Sequence, residues 1–126
     1  DDGNLLDVAG LATLAALKTA KFPVVDPETG AIDYKQKTNQ SLPLTKEPLP
    51  VTVYKVNGTL LVDPSREEEK AYEARLTVGS DAKGTISALQ KGGEVPLAIE
   101  EIGKMIDLAL EKASFLRKEL NKAARA

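Results

Sequence analysis

Glu67, Glu68, Glu69 and Glu73 are the densest group of side chains here that suits a hard cation such as Mg²⁺, which selects oxygen ligands. Helical spacing puts Glu69 and Glu73 on one face, although an exposed acidic face gives the same pattern without chemistry. Gly92-Gly93, ahead of a helical pattern, is the other candidate, because helix N-termini attract anions. A phosphate loop, however, needs Lys followed by Ser or Thr at fixed spacing. Gly3, Gly10, Gly58 and Gly92 fit neither that pattern nor the dinucleotide one, so they read as turn and spacer glycines. The chain has no histidine and no cysteine. That removes the usual general base, the commonest metal ligand, disulfides and thiolate sites. Taken by themselves, the residues nominate no catalytic, cofactor-binding or metal site.

The elements that would position these residues are easier to read. Asp7 suits the cap of a helix over Val8–Leu17, which is apolar on nearly every side and is therefore expected to be buried on several faces. From Phe22 to Pro50 prolines interrupt any long element, and this stretch reads as a connecting segment. Within it, Val24-Val25 and Ala31–Tyr34 flank a Pro-Glu-Thr-Gly turn suited to a short hairpin. Val51–Val56 and Thr59–Asp63 are β-rich runs joined by Asn57-Gly58, the dipeptide of type I′ hairpin turns. Ser65 and Glu68 match a capping box, so Arg66–Lys70 reads as a solvated helical turn. Two more strands, around Ala74–Gly79 and Ile86–Ala88, flank the turn Asp81–Gly84, and the four strands suggest a meander. Pro96 fits the first turn of a long helix whose seam is Ile99, Ile102, Ile106, Ala109, Ala113, Leu116 and Leu120. The expected architecture is helices packed on a mostly antiparallel sheet.

With 126 residues, 42% of them hydrophobic and 29% charged, the chain is sized and composed for one globular domain. Its longest apolar run, Val8–Leu17, is too short to span a bilayer, so no membrane partner is expected. No signal-peptide pattern opens the sequence, and the cytoplasm is the expected compartment. The start at Asp1-Asp2-Gly3 has neither an initiator Met nor a strand leading into the first helix, which suggests a continuation upstream. A net charge of −2 gives no strong overall attraction to nucleic acid.

The run Asp2-Gly3-Asn4-Leu5-Leu6-Asp7-Val8-Ala9-Gly10-Leu11-Ala12-Thr13-Leu14-Ala15-Ala16-Leu17 resembles the strand-to-helix entry into the second half of RNase PH proteins. Pro50–Val53, Asn57–Pro64, Glu67–Glu69 and Leu89–Gly93 extend the resemblance over most of the chain. It implies an α/β fold of two-layer α+β form, an RNase PH-like βαβα-type half with a mostly antiparallel sheet against helices. Residues 1–126 would be the C-terminal half, with the N-terminal half outside this sequence. Active members of the family cleave RNA from its 3′ end with inorganic phosphate as nucleophile. They bind that phosphate with a Gly-Ser/Thr-Arg loop at this turn, where the present chain has Asn4-Leu5-Leu6. Leucine neither donates a hydrogen bond nor offsets charge. Active ring subunits also carry two aspartates six residues apart. The matching positions here are Glu69 and Arg75, and a permanent cation at the second opposes metal binding.

This combination resembles the non-catalytic ring subunits of the archaeal exosome. It implies a structural and RNA-guiding role, without a catalytic residue or cofactor of its own, in a hexameric ring of three heterodimers. The implied partners are an active RNase PH-like subunit, which would hold the phosphate and Mg²⁺, RNA-binding cap subunits, and RNA threaded through the ring. The alternative is an active phosphorolytic 3′–5′ exoribonuclease of the RNase PH or polynucleotide phosphorylase type, marked by a basic phosphate-binding turn where Leu6 stands. A folded interaction module unrelated to RNA is the third class. Lys18, Lys21, Arg66, Lys83 and Arg125 read equally as RNA contacts or as solvated charges.

Overall fold

Asn4, rather than Asp7, caps the first helix in the computed structural model, which describes residues 2–123. Helix α1 spans Leu5–Thr19, and the Asn4 side chain accepts the N–H of Asp7, as a preferred N-cap residue does. Asp7 therefore falls in the first turn, and its carboxylate is free to bond elsewhere. The expectation that α1 is buried on several faces is not met. Leu14 is its one buried residue, and Leu5, Leu6 and Val8 are 66%, 70% and 57% exposed.

The segment read as a connector holds a longer hairpin than expected. Strands β1 (Lys21–Val25) and β2 (Ile32–Ser41) form their own two-stranded antiparallel sheet. Its tip is built as read: the Asp26 carboxylate accepts the N–H groups of Glu28 and Thr29 at 2.8 and 3.0 Å. Pro23 is tolerated in β1 because a two-stranded ribbon has only edge strands.

The main sheet contains β3 (Leu49–Val56), β4 (Thr59–Val62), β5 (Ala74–Ser80) and β6 (Ile86–Gly92), in the order β4-β3-β5-β6 with every pairing antiparallel. Asn57 and Gly58 both have positive φ, 50° and 75°, as a type I′ turn requires. The order corrects the meander. Helix α2 (Arg66–Lys70), with its Ser65–Glu68 capping box formed, lies in the connection that takes the chain from β4 to the far side of β3. The physical reason is strand length: β5 matches β3 from Leu49 to Lys55, whereas β4 reaches only from Val53 to Val56.

Helix α3 (Ile99–Ala123) packs on β3 and β5. Leu49, Val51 and Val53 of β3 and Leu76 and Val78 of β5 meet Met105, Ala109, Ala113 and Leu120 in the core. The two alanines allow the close approach expected of them. Two details of the seam differ from the sequence reading. Ile99 is 88% exposed at the helix's first residue, and Met105 takes the deepest position, which suits its flexible side chain. Pro96 precedes the helix instead of sitting in its first turn, and Glu101 Oε2 accepts the N–H of Ala98 at 2.9 Å. Along β3, α1 makes contact in register: Asn4 with Tyr54, Asp7 with Thr52, and Gly10 with Pro50. Among the described residues no helix is long and apolar enough to cross a membrane.

Candidate functional site

Gly3, Asn4, Leu5, Leu6, Glu69 and Arg75, which are far apart in sequence, line one cleft of about 210 Å³ together with Tyr54 and Tyr72. The floor begins at Gly3. Its φ is +77°, and a Cβ there would stand 2.5 Å from Asp63 Oδ1, so only glycine fits the turn. That approach lets Asp63 Oδ1 accept the N–H of Asn4 at 3.1 Å.

Asn4 is buried and uses every polar group it has nearby: its Oδ1 caps α1 and its Nδ2 donates to Tyr54 Oη at 3.0 Å. Tyr54 Oη donates in turn to Glu69 Oε1 at 3.2 Å. Burial, followed by the Glu69 charge and hydrogen bond, pushes the phenol pKa up to about 12. The Tyr54 ring meets Tyr72 edge to face, with centroids 5.6 Å apart and planes at 84°, a favoured aromatic geometry.

Below this network, Asp7 completes the edge of β3. Pairing with β4 stops at Val53, and the N–H of Thr52 donates to Asp7 Oδ2 at 2.6 Å while Thr52 Oγ1 bonds Asp7 Oδ1 at 2.9 Å. Burial raises the Asp7 pKa, against the lowering effect of these two bonds.

Arg75 stands opposite Tyr54 on one side and Gly92 on the other. A Cβ at Gly92 would lie 2.7 Å from Arg75 Nε, so the glycine makes room for the guanidinium. Arg75 enters none of the ion pairs among the described residues. The Gly92-Gly93 pair therefore serves Arg75 and the end of β6; Glu94–Ala98 separates it from α3.

The acidic cluster does not assemble as a helical face. α2 ends at Lys70, which leaves Glu73 beyond it, paired at 3.9 Å with Lys55, whose ammonium also meets Glu101 at 2.5 Å. Among the described residues no three His, Cys, Asp or Glu side chains group to hold a metal ion. Chemically, the cleft offers one carboxylate, one guanidinium, two phenols and a rim of leucine. Of the basic candidates, Lys18 pairs with Glu47 at 2.7 Å, Lys21 donates to Ser41 Oγ at 2.6 Å, and Arg66 and Lys83 lie on α2 and the β5–β6 turn. They are not brought together, and Arg125 lies outside the described residues. Sequence reasoning missed Tyr54 and Tyr72. The one available signal was that Tyr54 alternates with Val53 and so must face away from the α3 side.

Residues 46–112 match the sequence pattern of the 3′ exoribonuclease family, domain 2. The exosome complex component Rrp42 of Thermococcus onnurineus is 42% identical over 99% of this chain and 46% of its own length. That of Thermococcus gammatolerans is 45% identical over 97% of this chain and 45% of its own. The chain thus spans less than half the length of these curated relatives. Among solved structures, it superposes on a chain of an archaeal exosome core with a TM-score of 0.77 and 34% identity, over 96% of this chain and 46% of the other. A chain of the Archaeoglobus fulgidus exosome with RNA bound to the active site gives a TM-score of 0.75 at 34% identity, over 94% and 44%.

Proposed function

The chain belongs to the 3′ exoribonuclease family, whose second-domain pattern covers more than half of it, and from that premise we propose that it forms the C-terminal half of a non-catalytic exosome ring subunit. In this reading it works in the cytoplasm, shapes the path of RNA, and completes a hexameric ring of three heterodimers with an active RNase PH-like subunit. RNA-binding cap subunits sit on that ring, and phosphate and Mg²⁺ act in the partner's site. The names of the Rrp42 relatives and the archaeal exosome structures support it.

The observation that carries the reading is the composition of the cleft. Leu5, Leu6 and Arg75 line one space, at the positions where active members of the family place phosphate ligands and a second acid. The leucine side chains give the attacking phosphate no donor. Beside Arg75, Glu69 is already engaged by Tyr54. Catalysis by electrostatic stabilisation requires donors aimed where charge develops, and the donors at this turn are missing. The full-length protein, purified free of any partner, is expected to release no nucleoside diphosphates from RNA in the presence of inorganic phosphate. Phosphate-dependent release by that preparation would instead establish the alternative, an active phosphorolytic exoribonuclease whose phosphate site uses other residues or lies in the first half.

A further inference from the structure

Away from the Arg75 cleft, the β5–β6 turn and the last third of α3 enclose a second cleft of about 410 Å³, lined by Lys83, Ser114, Arg117, Lys118 and Asn121. The four α3 residues are spaced by three and four and so share one helix face. Lys83 lines the same space from the turn. Arg117 is anchored by a hydrogen bond from its guanidinium to the Ser80 carbonyl at the end of β5. Its Nε is buried without an acceptor among the described residues.

The neighbouring acids, Asp81 and Glu47, both act on Arg117 by their charge, and each has hydrogen-bond partners of its own. Asp81 Oδ1, on the cleft's one lining carboxylate, accepts the N–H groups of Lys83 and Thr85 at 2.8 and 2.9 Å. Glu47 is bound to Lys18 at 2.7 Å. Lys83, Arg117 and Lys118 against Asp81 leave this lining, which also includes Leu110 and Ala113, with a net charge of +2 in a chain whose net charge is −2.

We propose that this cleft binds a phosphate group, with Lys83, Arg117 and Lys118 supplying charge and Ser114 and Asn121 neutral donors. A tetrahedral phosphate presents oxygens in several directions and suits donors arriving from both a turn and a helix, whereas a planar carboxylate is matched best by a single fork. The phosphate belongs to a polynucleotide backbone or is free in solution. Neither case depends on whether the Arg75 cleft is inactive.

The full-length protein is titrated with inorganic phosphate and, separately, with a fluorescent oligoadenylate across a range of salt concentrations. The comparison is the double variant Lys83→Gln/Lys118→Gln, which alters two exposed side chains; circular dichroism verifies that it is folded. For a backbone phosphate, the slope of log affinity against log salt flattens by about 1.4 in the variant, at about 0.7 per contact on single strands. For free phosphate, the amide resonances of Gly84 and Ser114, which line the cleft, shift saturably in the wild type and stay still in the variant. Either result supports the site and identifies its source. An unchanged slope together with no saturable shift overturns it. So does variant-sensitive binding of a polyglutamate peptide when neither phosphate ligand binds.

Discussion

Tyr54 joins the two ends of the cleft, because its one hydroxyl accepts from Asn4 at the cap of α1 and donates to Glu69 on α2. Removing it leaves a buried amide without an acceptor, a loss of about 1–3 kcal/mol. Tyr54→Phe is therefore expected to lower stability by that amount in urea unfolding of the full-length protein, with the fold retained. The change also has a pH signature. The folded phenol titrates at about 12, above its ordinary 10.0, so the native state holds this proton more tightly than the unfolded chain does. The stability it contributes is whole below pH 10 and is lost as pH rises through about 12. Urea midpoints of the wild type should fall across that window and those of Tyr54→Phe should fall less. Parallel curves would show that the phenol is not the linked group. Asn4, Leu5, Leu6, Glu69 and Arg75 were legible in the sequence as matched positions of a family site. The hydroxyl that ties them together was not, since its partners lie 50 and 15 residues away.

At the level of elements, what the sequence disclosed was local chemistry. Asn57-Gly58, the Ser65–Glu68 box and the Asp81 turn each form within a few residues, and all three stand in the structure as read. Strand order and the length of β2 depend on contacts between more distant segments, and there the reading missed; it also missed the cap of α1, although Asn4 and Asp7 are only three residues apart. The family site shows the same division, because its cleft exists only once β5 lies beside β3. Glycines at two turns test how tightly β6 is held against β5. Gly84 and Gly93 have similar φ, +79° and +83°, but a Cβ at Gly84 meets nothing within 4 Å while one at Gly93 would stand 2.6 Å from the Glu73 carbonyl oxygen. Gly84→Ala should cost only the left-handed conformational penalty, about 1–2 kcal/mol. Gly93→Ala must also push the β6 end away from Glu73 and Ala74, and its unfolding midpoint should fall clearly further. Equal losses would mean that the two chain ends are loosely joined.

As a whole molecule, the chain leaves an apolar helix largely uncovered. Leu5, Leu6 and Val8 of α1 and Phe115 of α3 are 57–70% exposed, although a helix apolar on all sides normally needs cover. The proposed ring subunit contains a first half of comparable size and neighbours on either side, so a role in assembly would account for surface that this half does not bury. Ring geometry also fits the low net charge, because an RNA path can gather cations from several subunits without one strongly basic domain. The full-length protein is accordingly expected to form a closed ring only with an active RNase PH-like partner, and that partner should lose RNA turnover when deprived of it. Measuring mass by light scattering together with RNA degradation, for each protein separately and for the mixture, tests both expectations. A subunit confined to geometry contributes to turnover only through the assembled ring, so activity should rise in step with the ring's mass. Failure to co-assemble, or a partner equally active without this subunit, would reject the scaffold role.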